Sequence, residues 1–234
     1  MRSARWEIGA LLVGALSFGF LPLLGNQKAG NESAASEIDV DDLIQECQRS
    51  VRGKRRAGLV WWIPPEFWEA SSESNAADTK ALVDALRKYT MVAVAYGKVG
   101  PIGTIDWVPA AEIRTKTFLR NASGEEFSPL ESVSTEAQIL QGVLRPVLAG
   151  AIGKLGENLE ILYFPAEDQK GVPLADPRGQ RSFSVVLRLP EGEGESVFEW
   201  RLPLTSLVPP RFCPVGKERL KADWDYCPWH GSRL

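Results

Sequence analysis

Near its end the chain repeats itself. Cys213-Pro-Val-Gly-Lys-Glu-Arg-Leu220 aligns without a gap on Cys227-Pro-Trp-His-Gly-Ser-Arg-Leu234, matching at four of eight positions with a period of 14. A hairpin of 22 residues is too small to bury a core of its own, so its shape needs a crosslink. The chain has three cysteines and one histidine, and Cys213, Cys227 and His230 all lie in this stretch. A crosslink here is expected to run through sulfur, either to a cation or to a second sulfur.

Zinc takes thiolate and imidazole ligands in a tetrahedron, and a Cys-Pro turn presents its ligands on one side of a tight loop. Residues 212–234, about a tenth of the chain, resemble the zinc-ribbon family, in which paired Cys-Pro-x-Cys-Gly knuckles carry a leucine three residues after the glycine. The second turn, Cys227-Pro228-Trp229-His230-Gly231-Ser232-Arg233-Leu234, fits throughout, with His230 replacing the second cysteine. The first departs from the pattern: Gly216 stands where a ligand belongs and Lys217 where the glycine belongs. Three ligands remain, Cys213, Cys227 and His230, and the fourth position falls to Asp223, Asp225, Glu218, Cys47 or water. Two other readings stay open. Cys213 and Cys227 can pair as a disulfide, closing a loop of about 15 residues worth about 3 kcal/mol in the chain-entropy account. Alternatively the thiols are free and the tail packs through Leu220, Trp224, Tyr226, Trp229 and Leu234.

The other end of the chain bears on that choice. Arg2 and Arg5 precede an apolar run of 17 residues from Ile8 to Leu24. A charged start followed by an apolar run reads as a signal peptide or a single membrane anchor within residues 1–25. The arginines favour the cytoplasmic side for the N-terminus, so the remainder is expected outside the cytoplasm, in the periplasm, at the cell surface or secreted. Disulfides persist there, and Cys47 is then the odd thiol.

Residues 26–57 read as a polar tether followed by a short helix over 37–52, with acids at its start and arginines at its end. A net charge of −3 gives no general attraction to nucleic acid. The exception is the basic run Arg49, Arg52, Lys54, Arg55 and Arg56, read as a solvated linker, with contact to an anionic membrane surface as the alternative.

Residues 58–210 read as a sheet-rich globular domain. Periodicity predicts a helix over 79–88, a central strand over 89–96, an alternating strand over 112–120, and a helix from 135 interrupted by Gly142 and Pro146. A further strand follows over 158–164, then a hairpin pairing 183–189 with 198–202. The fold class is α+β and mainly β. The preferred architecture is a sandwich-like, immunoglobulin-like antiparallel domain over 89–208, with N-terminal helices and the zinc-ribbon-like hairpin of 211–234.

Catalytic patterns are sparse. The one histidine lies in the tail, which leaves no Ser-His-Asp or Cys-His device, and no phosphate-binding glycine motif is present. Acid pairs such as Glu125-Glu126, Glu167-Asp168 and Asp223/Asp225 fall in predicted turns, where they do not face each other across a cleft. Trp61, Trp62 and Trp68 crowd around Pro64-Pro65. They read either as an aromatic binding platform or, with more weight, as core.

The expected protein is a non-enzymatic, exported or membrane-anchored one, binding an envelope component or another protein, with zinc as the only cofactor in view. An envelope hydrolase built on the tail metal or on Trp61–Trp68 is one alternative. A redox-responsive tail with Cys47 as resolving thiol is another.

Overall fold

The computed structural model describes residues 38–53, 55–71, 77–188 and 194–234. The expected leader or anchor and the polar tether over 26–36 lie outside them, as does most of the turn expected after residue 189. Among the described residues no helix is long and apolar enough to cross a membrane.

Helix α1 (Val40–Cys47) starts where Asp39 accepts hydrogen bonds from the backbone N–H groups of Asp41 and Asp42. It buries Leu43, Ile44 and Cys47. The helix is shorter than its charge pattern suggests, because Gln48 turns into strand β1 (Gln48–Gly53), which pairs antiparallel with β2 (Arg56–Ile63). Arg49, Arg52 and Arg56 of the basic run thus belong to the strands of a hairpin rather than to a solvated linker, Lys54 lies outside the described residues, and the structured body begins before residue 58. Helix α2 (Pro65–Ser71) opens on a proline, whose missing N–H costs nothing in the first turn. Helix α3 (Ala77–Leu86) buries Val83 and Leu86.

Strand β3 (Tyr89–Val99) is the centre of the larger sheet. Its whole inner stretch from Thr90 to Tyr96 is buried on both faces. It pairs with β2 along one side, and along the other with β4 (Ile105–Trp107) and β7 (Glu160–Pro165) in succession. The smaller sheet has the order β6-β5-β8-β9, with β5 (Thr117–Arg120), β6 (Glu126–Phe127), β8 (Phe183–Arg188) and β9 (Glu195–Trp200). Its β8–β9 pairing sets Phe183 opposite Trp200, as the alternating pattern requires. The fold is α+β with antiparallel sheets throughout.

Alternation sorts the larger sheet's side chains. Trp61, Ala93 and Ile161 share one face by register, and Ile63, Met91 and Tyr163 continue it. Helices cover this face: Trp61 meets Phe67 of α2 edge-on at 5.6 Å, and Tyr163 Oη donates to the Ala137 carbonyl at 3.1 Å. On the other face Trp62 lies edge-on to Phe183 at 4.8 Å and to Trp200 at 6.4 Å, while Phe183 and Trp200 stack at 5.2 Å. This aromatic trio joins the two sheets.

Two segments depart from their sequence pattern. Residues 112–120 do not form one strand; α4 (Ala110–Lys116) starts after Pro109 and gives way to β5. Ile113 is fully buried, and Thr117 Oγ1 donates to the Ile113 carbonyl at 2.6 Å, closing the helix end. Helix α5 (Thr135–Ile152) runs unbroken past Gly142 and Pro146. Its buried residues Ala137, Leu140 and Leu144 lie on one side, and Gly142 and Pro146 are exposed on another. The carbonyl that Pro146 deprives of its helical partner belongs to Gly142, an exposed residue, where lacking that bond costs less than it would in the core. A short helix, α6 (Lys154–Glu157), leads into β7.

After β9, a 3₁₀ turn at Thr205–Leu207 connects the body to the tail hairpin, β10 (Arg211–Phe212) and β11 (Arg219–Leu220).

Candidate metal centre

The sequence repeat is also a repeat of backbone geometry. In the first turn Cys213 N–H donates to the Glu218 carbonyl at 2.9 Å, and the Cys213 carbonyl accepts from Lys217 N–H at 3.0 Å. Fourteen residues later, Cys227 N–H donates to the Ser232 carbonyl and the Cys227 carbonyl accepts from Gly231 N–H, each at 2.8 Å. Lys217 and Gly231 both adopt φ near +64°. Phe212 pairs with Arg219 as Tyr226 does with Arg233. Lys217 thus holds the left-handed conformation that suits glycine, at a cost of about 1 kcal/mol.

The two turns bring their ligand-capable atoms together. One such atom from each of Cys213, Glu218, Cys227 and His230 lies within 4.8 Å of all the others, and this group can hold a metal ion. His230 presents Nδ1 inward, 3.4 Å from Cys213 Sγ, 3.6 Å from Cys227 Sγ and 3.8 Å from Glu218 Oε2. In a tetrahedral zinc site with Zn–S of about 2.3 Å and Zn–N of about 2.05 Å, sulfur and nitrogen are separated by about 3.5 Å. The donor set fits.

The fourth group solves the problem posed by Gly216. A Cβ built on Gly216 would overlap the Glu218 carboxylate. The carboxylate therefore occupies the space where the missing ligand's side chain would begin. Its Oε2 is buried and has no hydrogen-bond partner, although 41% of the side chain is exposed. A buried carboxylate oxygen without a donor is costly, and a cation bound by the neighbouring sulfurs would satisfy it.

Local electrostatics favour thiolate at Cys213. Burial opposes ionisation, but the Gly216 and Val215 backbone N–H groups and the Cys227 and Ser232 side chains outweigh it and bring the thiol down to about 6. The Gly216 N–H lies 3.5 Å from the sulfur. Both tail cysteines are buried, and with Leu220 they form a small core of their own, flanked by Trp224 and Leu234.

The remaining candidates fall elsewhere. All three cysteines are free thiols in this structure. Asp223 and Asp225 are outside the four-residue group. Cys47 lies in the body's core, 1% exposed, with its thiol pushed up chiefly by burial. It belongs neither to the four-residue group nor to the tail's small core. Trp61, Trp62 and Trp68 are 3%, 1% and 4% exposed, so they form core rather than an open platform. Their rings are consumed in contacts such as that of Phe67 with Trp68 at 5.0 Å.

The tail is fastened to the body. Ala222 N–H donates to Thr205 Oγ1 at 3.0 Å, and within the tail Arg211 donates to the Ala222 carbonyl at 2.9 Å. The turn that receives the tail is itself held by Glu46 of α1, whose carboxylate accepts from the N–H groups of Thr205 and Ser206 and from the Ser206 hydroxyl. Sequence reasoning did not single out Glu46, an acid in the last turn of a short helix, where local pattern carries no signal. No family model, curated protein or solved structure matches this chain.

Proposed function

We propose that residues 211–234 form a zinc-ribbon-like structural site in which Cys213, Cys227, His230 and Glu218 bind one zinc ion. The convergence of these four groups on one point carries the reading, with Glu218 taking the place vacated at position 216. A site with four protein ligands is closed to substrate, so its work is structural: it fixes a hairpin whose own core is three residues.

The protein that displays this hairpin is, on this reading, exported or membrane-anchored and not an enzyme, with the body acting as a sandwich-like scaffold. The apolar run after Arg2 and Arg5 supports export, and the contact of Trp62 with Phe183 and Trp200 supports stacked sheets. A role in binding or assembly is supported by the tail's surface. Phe212 and Tyr226, equivalent in the repeat, are 56% and 60% exposed, and Val215 and Trp229, also equivalent, are 63% and 60% exposed. Apolar side chains left in water on a rigid knob are typical of a contact surface.

Cobalt substitution tests the site. The metal-free full chain titrated with Co²⁺ should develop the visible bands of tetrahedral cobalt and a thiolate charge-transfer band, complete at one equivalent and reversed by one equivalent of Zn²⁺. Spectra of octahedral aqueous cobalt alone would overturn the assignment.

A further inference from the structure

Where tail meets body, three distant segments enclose a cleft of about 530 Å³. Helix α1 contributes Asp42 and Glu46 with Arg49 just beyond it, the end of β9 and the loop after it contribute Glu199 to Ser206, and the tail contributes Arg219, Lys221 and Asp223. Cations and acids are equal in number, so overall charge decides nothing. What matters is which charges are already engaged.

Most of the acids are. Glu46 is saturated by the Thr205–Ser206 turn. Asp42 faces Arg219 at 3.9 Å, and Glu199 faces Arg201 at 3.9 Å. Two cations have no carboxylate at ion-pair distance among the described residues, Arg49 and Lys221. Arg49 is held rigidly by neutral groups. Its Nη1 donates to the Glu46 and Gln48 carbonyls at 2.7 and 2.9 Å, its Nε donates to the Glu199 carbonyl at 3.1 Å, and its guanidinium lies over the Trp200 ring at 4.9 Å. Lys221 rests over Trp224 at 6.0 Å. Burial lowers the Arg49 pKa, which marks a half-desolvated cation that would gain from an opposite charge. Asp223 is the one acid of the cleft without a hydrogen bond or ion pair among the described residues, and its field reaches Arg49.

We propose that this cleft is a binding site for a small oxyanion, a phosphate or carboxylate group, taken between Arg49 and Lys221. A guanidinium locked by backbone carbonyls and an aromatic face loses little freedom when an anion arrives, and its Nη2, to which none of those bonds goes, is left to donate to the ligand's oxygens. Asp223 acts against the ligand and sets its affinity from below. The Thr205 and Ser206 N–H groups take no part, since Glu46 already holds them.

The test is titration of the full chain, as purified, with inorganic phosphate and separately with succinate, following the Arg49 Nε–H and Trp200 indole N–H resonances. Saturable shifts with either probe are expected; phosphate alone assigns the site to phosphate, succinate alone to carboxylates, and both to oxyanions generally. Lys221→Met should weaken binding about tenfold, since a hydrogen bond to a charged group is lost. Asp223→Asn should tighten it about threefold by removing the opposing charge. Arg49→Lys, which keeps the charge but loses Nη2 and the bonds that lock the guanidinium, should weaken binding. No saturable shift with either probe, or affinity unchanged in both Lys221→Met and Asp223→Asn, would overturn the proposal.

Discussion

The Glu218 carboxylate occupies the volume that a side chain on Gly216 would claim. Glycine at 216 therefore does not merely lack a ligand; it makes room for the candidate ligand two residues later. Gly216→Ala should displace the carboxylate and weaken zinc affinity at least about tenfold, a loss comparable to disturbing a metal's supporting shell. The double variant Gly216→Cys/Glu218→Ala should bind zinc at least as tightly as the parent, because the cysteine restores the regular knuckle. Competition with a chromophoric chelator measures both. Unchanged affinity in Gly216→Ala would show that Glu218 is not a ligand.

Lys217 and Gly231 share one backbone conformation but not one side chain. Lys217→Gly should stabilise the tail by up to about 1 kcal/mol, less the wider freedom glycine gives the unfolded chain and the loss of the exposed Lys217 Nζ bond to the Pro214 carbonyl. Gly231→Ala should cost about 1 kcal/mol or more, since alanine must then enter the left-handed region. Thermal unfolding of the zinc-loaded protein distinguishes the two directions.

The trio Trp62, Phe183 and Trp200 is expected to dominate the body's stability. Trp62→Ala should cost about 3–5 kcal/mol through lost burial and the cavity left behind. Trp200→Phe keeps much of the area but removes the indole N–H that donates to the Cys47 carbonyl at 3.2 Å. The orphaned acceptor should cost about 1–3 kcal/mol. Denaturant unfolding followed by circular dichroism reports both, and a small effect from Trp62→Ala would contradict the packing described.

Stability should also vary with pH through the outer surface of the smaller sheet. There Glu126 lies between Arg120 at 2.6 Å and Arg188 at 2.8 Å. The hydrogen bond from Arg120, and then that from Arg188, holds its carboxyl below the ordinary range. A depressed folded-state pKa adds stability that is fully present above the unfolded carboxylate value of about 4.3 and is lost as pH falls through the folded value. The network is partly solvent-exposed, so the effect should stay below about 1 kcal/mol and shrink in high salt. Glu126→Gln should flatten the stability profile on the acid side of pH 5 and leave the neutral-to-basic side unchanged in slope.

How far these features could be read in advance differs by element. The β8–β9 hairpin was legible because strict alternation of Phe183, Val185 and Leu187 has one simple meaning. The central strand over Thr90–Tyr96 was legible from its unbroken apolar run. Residues 112–120 were not, since a seven-residue helix running into a four-residue strand is too short to be told from one strand by period alone. Pro109 followed by Ala-Ala-Glu was the available signal. Helix α5 survived Pro146 because the break falls on its wet side, which only tertiary placement reveals. In the tail, three candidate ligands, Cys213, Cys227 and His230, were evident from residue type and spacing, and the fold brings them together. Glu218 was one of four candidates that spacing could not rank, because the choice depends on space above Gly216, a property of the folded turn rather than of the sequence.

The central claim is that Cys213, Cys227, His230 and Glu218 hold a single zinc ion. Intact-mass analysis of the full chain under native and denaturing conditions tests it directly. The expected result is one zinc per chain in the native spectrum, its loss on denaturation without a change in polypeptide mass, and its absence from the native spectrum of Cys213→Ser. A zinc-free native protein, with both tail cysteines open to alkylation or with a two-dalton deficit from a disulfide, would contradict it.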